Sequence, residues 1–291
     1  TNQNLSGGPV TGQQVSIVTA GSLSATVDTS IPPSQQLVLG ATNATVGQFR
    51  ITANNNEDIR MDQLTVTLYA TLNTDPATFK NIRLFDGATP IGEGTALTGS
   101  LGVFTSTVTI PNGGIVIAKN GTKTLTVKAD VSTYTESPTS HNVGYTFRIQ
   151  NASDIRAFGQ ASSGTVTVNG TYPLISNSQT TLRTKVTATL VPMGSTSGRA
   201  RGAADDVAKL TLNADTAYNA EFRGVTLSLS GAARLAGQTI ELVDDATGVV
   251  LAGATGVTGA TVALNPTNPD FITANGSKVY RIRVNTGSFN N

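Results

Sequence analysis

Apolar side chains fall two residues apart through most of this chain, with Thr, Ser, Asn or a charged residue between them. Val143, Tyr145, Phe147 and Ile149 form one such run, and Leu64, Val66 and Leu68 another. Successive side chains of a strand point to opposite faces, so this spacing describes strands with one buried and one solvated face. Strands are predicted at 13–19, 23–27, 36–39, 47–53, 62–70, 79–86, 102–110, 123–130, 143–150 and 164–168. A second series is predicted at 185–191, 207–213, 223–230, 238–244, 258–264 and 278–284. No amphipathic helix longer than about two turns competes with them. Asn112-Gly113, Asn120-Gly121, Asn169-Gly170 and Asn275-Gly276 suit tight turns that need positive φ. Regular strand spacing with turn residues between predicts an all-β chain built of β-sandwiches.

The second series repeats the first. Val46-Gly47-Gln48-Phe49-Arg50-Ile51-Thr52-Ala53 aligns with Val207-Ala208-Lys209-Leu210-Thr211-Leu212-Asn213-Ala214, and Leu64-Thr65-Val66-Thr67-Leu68 with Val225-Thr226-Leu227-Ser228-Leu229. With small gaps, Asn81-Ile82-Arg83-Leu84-Phe85-Asp86 matches Thr239-Ile240-Glu241-Leu242-Val243-Asp244, and the turn at Asn120 matches that at Asn275. The opening strand at 23–27 corresponds to 186–190. The expected organisation is two tandem Ig-like β-sandwiches, 23–182 and 183–291, preceded by an extension strand within 1–22. Residues 172–183 read as the connection. After the Asn120 turn, copy one continues for about forty residues that have no counterpart in copy two. A sandwich without its closing strand exposes core side chains and an unpaired backbone edge, so an outside strand is expected to complete it.

Hydrophobic residues make up 38% of the 291 residues and charged residues only 13%, with Thr, Ser, Asn and Gly supplying the remaining polarity. That mixture suits half-exposed strands and many turns. A net charge of +1, from scattered Lys and Arg nearly balanced by acids, argues against nucleic-acid binding. No apolar run approaches the ~18–20 residues of a membrane-spanning helix, so membrane insertion is not expected. The chain has no cysteine, which excludes disulfides and thiolate metal sites. It also has no Trp and only 5% aromatics, which weakens a lectin reading. If exported, it is the mature form.

In copy one the motif order is Phe49-Arg50-Ile51-Thr52-Ala53, Glu57-Asp58-Ile59, Leu64-Thr65-Val66-Thr67, Asn81-Ile82-Arg83-Leu84-Phe85-Asp86-Gly87, Ile91-Gly92 and Lys123-Thr124-Leu125-Thr126-Val127-Lys128-Ala129-Asp130. It resembles Ig-like repeat modules of large bacterial cell-surface and S-layer-type proteins. The similarity covers most of residues 23–170 and, more faintly, 185–285. These motifs specify a sandwich core and its turns, so the resemblance implies a surface structural role and carries over no active site.

Residue chemistry points away from an enzyme. The single histidine, His141, lies in a polar stretch and reads as an exposed loop residue, and no nucleophile elbow, phosphate loop, dinucleotide fingerprint or zinc-protease motif occurs. Glu57, Asp58, Asp205, Asp206, Asp244 and Asp245 supply oxygens of the kind Ca2+ accepts, although none has EF-hand spacing and such clusters also form ordinary turns. Glycosylation sequons at Asn43, Asn120, Asn151, Asn169 and Asn275 join one at Asn4, a count that chance accounts for. Lys128 and Lys185 lie on strands where a Lys–Asn isopeptide bond is conceivable if they face inward.

The expected function follows from the imbalance between the two ends. Residues 12–19 (Gly-Gln-Gln-Val-Ser-Ile-Val-Thr) compare with 163–169 (Ser-Gly-Thr-Val-Thr-Val-Asn), and each leads into an opening strand. Val15, Ile17, Val18 and Thr19 of one subunit are expected to insert into the second domain of the next, with Val15 and Ile17 entering core pockets. To serve its own chain, the extension would have to run back across the first domain at ~3.3 Å per residue, so a neighbour is the easier donor. Head-to-tail contacts of this kind generate open filaments. The expected partners are identical subunits outside the cell. The alternatives are an S-layer lattice protein, a fragment of a longer repeat protein, and an adhesin or carbohydrate-binding module for a cell-surface glycan.

Overall fold

The computed structural model describes residues 20–72, 76–194, 202, 204–229, 239–256 and 260–285. The chain is all-β, and the helical pieces among the described residues are three short 3₁₀ turns. No helix there is long and apolar enough to cross a membrane. The chain divides into two compact units: Thr1–Gln35, Thr42–Asp130 and Val143–Thr180 form the first; Gln36–Ala41, Val131–Asn142 and Thr181–Asn291 form the second. The boundary differs from an uninterrupted cut after residue 182. Backbone hydrogen bonds explain this: Leu39 donates to Leu182, Gly40 to Ser132, Val131 to Ala41 and Asn142 to Thr181.

Copy one opens with β1 (Ser22–Val27), β2 (Gln35–Val38), β3 (Ala44–Ala53) and β4 (Ile59–Ala70). Next come β5 (Phe79–Asp86), β6 (Thr89–Gly94), β7 (Thr98–Ser100) and β8 (Val103–Thr109). They are followed by β9 (Ile115–Ile117), β10 (Thr122–Val131) and β11 (Val143–Ile149). The last are β12 (Ile155–Gly159), β13 (Thr167–Asn169), β14 (Leu174–Ile175) and β15 (Gln179–Leu182). In the first unit, hydrogen-bonded neighbours run β13-β1-β3-β10-β5-β6-β8-β4-β11, with β9 and β12 also on β4.

Alternation places the core as expected. Along β11 every second residue from Val143 to Ile149 is buried, and Phe49, Ile51, Leu64 and Leu125 are fully enclosed. Phe79 meets Tyr145 and Phe147 edge to face, with ring centres 5.0 and 5.1 Å apart, the arrangement ring quadrupoles favour. Asn112, Asn120 and Asn275 take positive φ at their turns. Asn169 does not. It ends β13, paired with Ser24, and its amide donates to the Leu23 carbonyl at 3.4 Å. The stretch 172–183 is also more than a connection, because it contains β14, which pairs with β11.

The second unit contains β16 (Val186–Pro192), β17 (Asp205–Ala214), β18 (Ala220–Phe222) and β19 (Val225–Ser228). These are followed by β20 (Thr239–Asp244), β21 (Val250–Thr255), β22 (Thr261–Leu264), β23 (Asp270–Ile272) and β24 (Ser277–Val284). One layer is the five-stranded sheet β16-β17-β24-β20-β21, and the other holds the antiparallel pairs β18-β23 and β19-β22. Leu210, Leu212, Phe222, Leu242, Leu264 and Tyr280 lie in the core between them. Tyr280 stacks on Phe222 at 4.7 Å and donates its hydroxyl to Asp270 at 2.9 Å. Burial, reinforced by that carboxylate, raises the phenol's pKa.

Candidate assembly groove

The register of β16 sets which of its side chains face the core. Val186 pairs with Ala214, Ala188 with Leu212 and Leu190 with Leu210. Those three β17 residues are buried, so Val186, Ala188 and Leu190 lie on the same inward face. Yet every residue of β16 is exposed; Val186 shows 39% of its surface and Leu190 54%. Together with Leu212, Ala220, Phe222, Val225 and Ile272, Val186 and Ala188 border an apolar groove of about 320 Å³.

The repeat supplies the comparison. In copy one Leu23 pairs with Ala53 and Ala25 with Ile51, so Leu23 is the counterpart of Val186 and Ala25 of Ala188. Leu23 and Ala25 are 1% and 0% exposed. The covering comes from strands of copy one that have no counterpart among the described residues of copy two. The far edge of β1 carries β13 in parallel, with Ser22 opposite Thr167 and Leu23 opposite Val168. Across the interior, β4 carries β12 along Ile59–Leu64 and β11 along Thr67–Ala70. Val166 and Val168 are buried there, as are Ile155 and Ala157. In copy two the far edges of β16, β18 and β19 have no partner strand among the described residues.

Glu57 shows how firmly the missing strand is held in copy one. Its carboxylate, 5% exposed, accepts from Gly21 N at 2.8 Å, Ala161 N and Ser162 N at 2.9 Å, and Ser162 Oγ at 2.7 Å. It therefore ties the start of β1 to the turn that leads into β13. The Ser162 amide and hydroxyl, with help from the Gly21 and Ala161 amides, lower the carboxyl pKa to about 2, although burial opposes them. Tyr218 stands at the matching position of copy two, where that clasp has no equivalent.

The other acids are occupied in the same structural manner. Asp58 accepts from Lys119 N at 2.8 Å, and Asp244 caps a turn through Ala246 N and Thr247 N. Asp206 receives Arg281 and Arg283 at 2.7 and 2.9 Å, while Asp245 receives Lys209 and Arg281 at 3.0 Å. Burial raises the Asp206 pKa, but the two guanidiniums outweigh it and leave the group lowered. Asp205 begins β17 opposite Val284. Among the described residues no three His, Asp or Glu side chains gather where a metal ion could be held. Asn43, Asn120, Asn151, Asn169 and Asn275 are all exposed. His141 is exposed too, and its Nδ1 accepts from Arg183 N at 2.9 Å. Lys128 lies 4.5 Å from the Phe85 ring centre, and Lys185 is exposed. Val15, Ile17, Val18 and Thr19 lie outside the described residues.

Sequence reasoning anticipated an opening strand at 186–190 but not the opposite wall of the groove. Ala220 and Phe222 belong to a three-residue strand, too short for alternation to register, and so does Ile272. A continuous strand at 223–230 was expected instead. The strand begins only at Val225, after Gly224, which has φ of 155° and where an added Cβ would lie 2.9 Å from the Leu264 carbonyl oxygen.

No protein-family model matches the chain, and no curated protein is similar to it. Among solved structures, a type I cohesin–dockerin complex of Clostridium thermocellum is 8% identical, with 58% of this chain and 100% of that one covered and a TM-score of 0.28. The pilus backbone RrgB of Streptococcus pneumoniae is 12% identical over 91% of this chain and 49% of its own, at a TM-score of 0.20. The C-terminal domain of the AgI/II polypeptide BspA of Streptococcus agalactiae is 10% identical over 90% of each chain, at 0.24. Likeness at this level leaves the functional reading to the groove.

Proposed function

We propose that this chain is a structural, non-catalytic subunit of an extracellular filament, joined head to tail when residues 13–19 of one copy fill the β16 groove of the next. The observation that carries the reading is the contrast between two equivalent strands. Leu23 and Ala25 are buried on β1, whose far edge is paired with β13, while Val186 and Ala188 are exposed. An incoming strand would satisfy the free edge through main-chain hydrogen bonds, and apolar side chains at alternate positions would set its register. Burying Val15 and Ile17 contributes about 3–6 kcal/mol before the cost of ordering the strand. Because donor and acceptor are different surfaces of one molecule, each added copy presents a fresh groove, and growth continues without closure.

Negative-stain electron microscopy tests the proposal. The purified chain is expected to form filaments as its concentration rises, with no ligand added, and a variant lacking residues 1–20 is expected to remain monomeric. Filaments of unchanged length from the truncated protein would exclude residues 13–19 as the donor. A monomer that binds glycans and never polymerises would favour the adhesin reading.

A further inference from the structure

Resting on that filament reading, we infer that the donor enters parallel to β16, in the register β13 holds on β1, with Ile17 of the incoming copy opposite Val186 and Ser16 opposite Lys185. Three observations converge on this register. The first is the internal template: β13 has no counterpart among the described residues of copy two, and it lies parallel to β1 with Ser22, Leu23 and Ser24 opposite Thr167, Val168 and Asn169. The pairings with Ala53 and Ala214 make Lys185, Val186 and Thr187 the counterparts of those three β1 residues.

The second observation is the likeness of the two covering segments. Position by position, Gln14-Val15-Ser16-Ile17 stands against Thr165-Val166-Thr167-Val168, so Val15 and Ile17 match two buried valines while Ser16 matches an exposed Thr. The small polar residue thus falls on the outer face and both branched residues on the inner one. The third is a hydroxyl left unpaired among the described residues. Thr184 stands where copy one has Gly21, whose amide Glu57 holds, and its Oγ1 is buried with no partner among the described residues. It lies two residues before β16, at the end where a parallel donor would begin.

The chain has no cysteine, so a two-cysteine crosslink reads the register directly. Neighbouring strands lie ~4.8 Å apart, within the ~4.4–6.8 Å a disulfide accepts between Cα atoms, whereas a slip of two residues adds ~6.6 Å along the strand and takes the pair out of range. Lys185 and Thr187 are exposed, so replacing either leaves the fold intact. Filaments of Ser16→Cys/Lys185→Cys, once oxidised, should give a ladder of covalent multimers on a non-reducing gel. Ser16→Cys/Thr187→Cys, the pair an antiparallel donor would bring together about Val186, should give monomer. The reverse result, or intact filaments without a ladder from either variant, overturns the parallel register and leaves the filament standing. Crosslinks confined to single chains would show that each copy fills its own groove, and a wild-type protein that forms no filament removes both readings together.

Discussion

The same truncation at two equivalent positions measures what the covering strand contributes. In a chain shortened to begin at Ala20, so that no donor is available, Leu23→Ala and Val186→Ala each remove an inward-facing branched side chain from an opening strand. Leu23 is fully enclosed by its neighbours and by β13, so its loss leaves a cavity and costs about 2–5 kcal/mol. At ~2–4 °C per kcal/mol for a unit of this size, the first unit's calorimetric transition falls by about 4–20 °C. Val186 already faces solvent, so its loss changes the second unit's stability by no more than about 0.5 kcal/mol. In the untruncated 291-residue chain the order is expected to change. The proposed donor would bury Val186 on assembly, and deleting two methyl groups would then remove about 1.6 kcal/mol of contact at ~0.8 kcal/mol each. That corresponds to a subunit dissociation constant about 15-fold weaker, read as a shift in the concentration at which filaments appear by light scattering. If Val186→Ala destabilises the shortened monomer as much as Leu23→Ala does, a cover for β16 is present within the single chain and the comparison between the copies fails.

Glu57 gives the first unit a particular acid response. Its folded pKa of about 2 lies below the ordinary 4.5, so its contribution to stability is fully present above about pH 4.5 and is lost as pH falls toward about 2. The melting temperature of the first unit should decline across that window, and Glu57→Gln, which cannot titrate, should flatten the decline and lower the plateau above it; an unchanged profile would show that the clasp bears no load. Asp28 and Asp130 are also lowered, the first by hydrogen bonds from Ser30, the second against its own burial by Asn81, the Asn43 amide and Arg83, so some slope should survive in the variant. In the second unit the Arg183 guanidinium lies 3.9 Å from the Tyr134 ring centre and 3.3 Å from that of Tyr218. Arg183→Ala removes both stacks and should cost about 1–2 kcal/mol by urea unfolding, with Arg183→Lys recovering only part, since an ammonium lacks the flat face.

The strands most legible in the sequence were those long enough to alternate several times against a core. β3, β4, β10 and β11 each run seven residues or more with buried positions two apart over most of their length. β12 did not register, because Ile155-Arg156-Ala157-Phe158-Gly159 carries only small Ala157 on its buried face between its ends and gains its meaning from β4, some ninety residues earlier. β6 was hidden by Pro90 and Gly92, which sit beside a bulge that only the pairing with β5 reveals. Glu57 looked like one more acid in an Asn-rich turn. Its partners at Ala161 and Ser162 are over a hundred residues away, so nothing local distinguished a clasp from a solvated loop or an oxygen ligand. The acids at 206 and 245 were ambiguous for the same reason, since the arginine that joins them lies on a distant strand.

Alternation also has a blind side. It shows which face of β16 is apolar and takes for granted that something lies against it. A free edge strand in a domain that must stay apart from its neighbours carries charge on its inward face, a proline in its interior, or a bulge. β16 has none of these between Val186 and Leu190, and its inward residues Val186, Ala188 and Leu190 stand against Leu23, Ala25 and Val27 of the covered strand, with Thr187 and Thr189 turned outward. The lysine and the proline stand outside that span, Lys185 before the strand and Pro192 as its last residue. Apolar choices at exposed positions, in the same register as a buried strand, are what a surface built to receive a strand requires. Placing a charge there, as in Ala188→Asp, should leave the monomer folded and remove the filament.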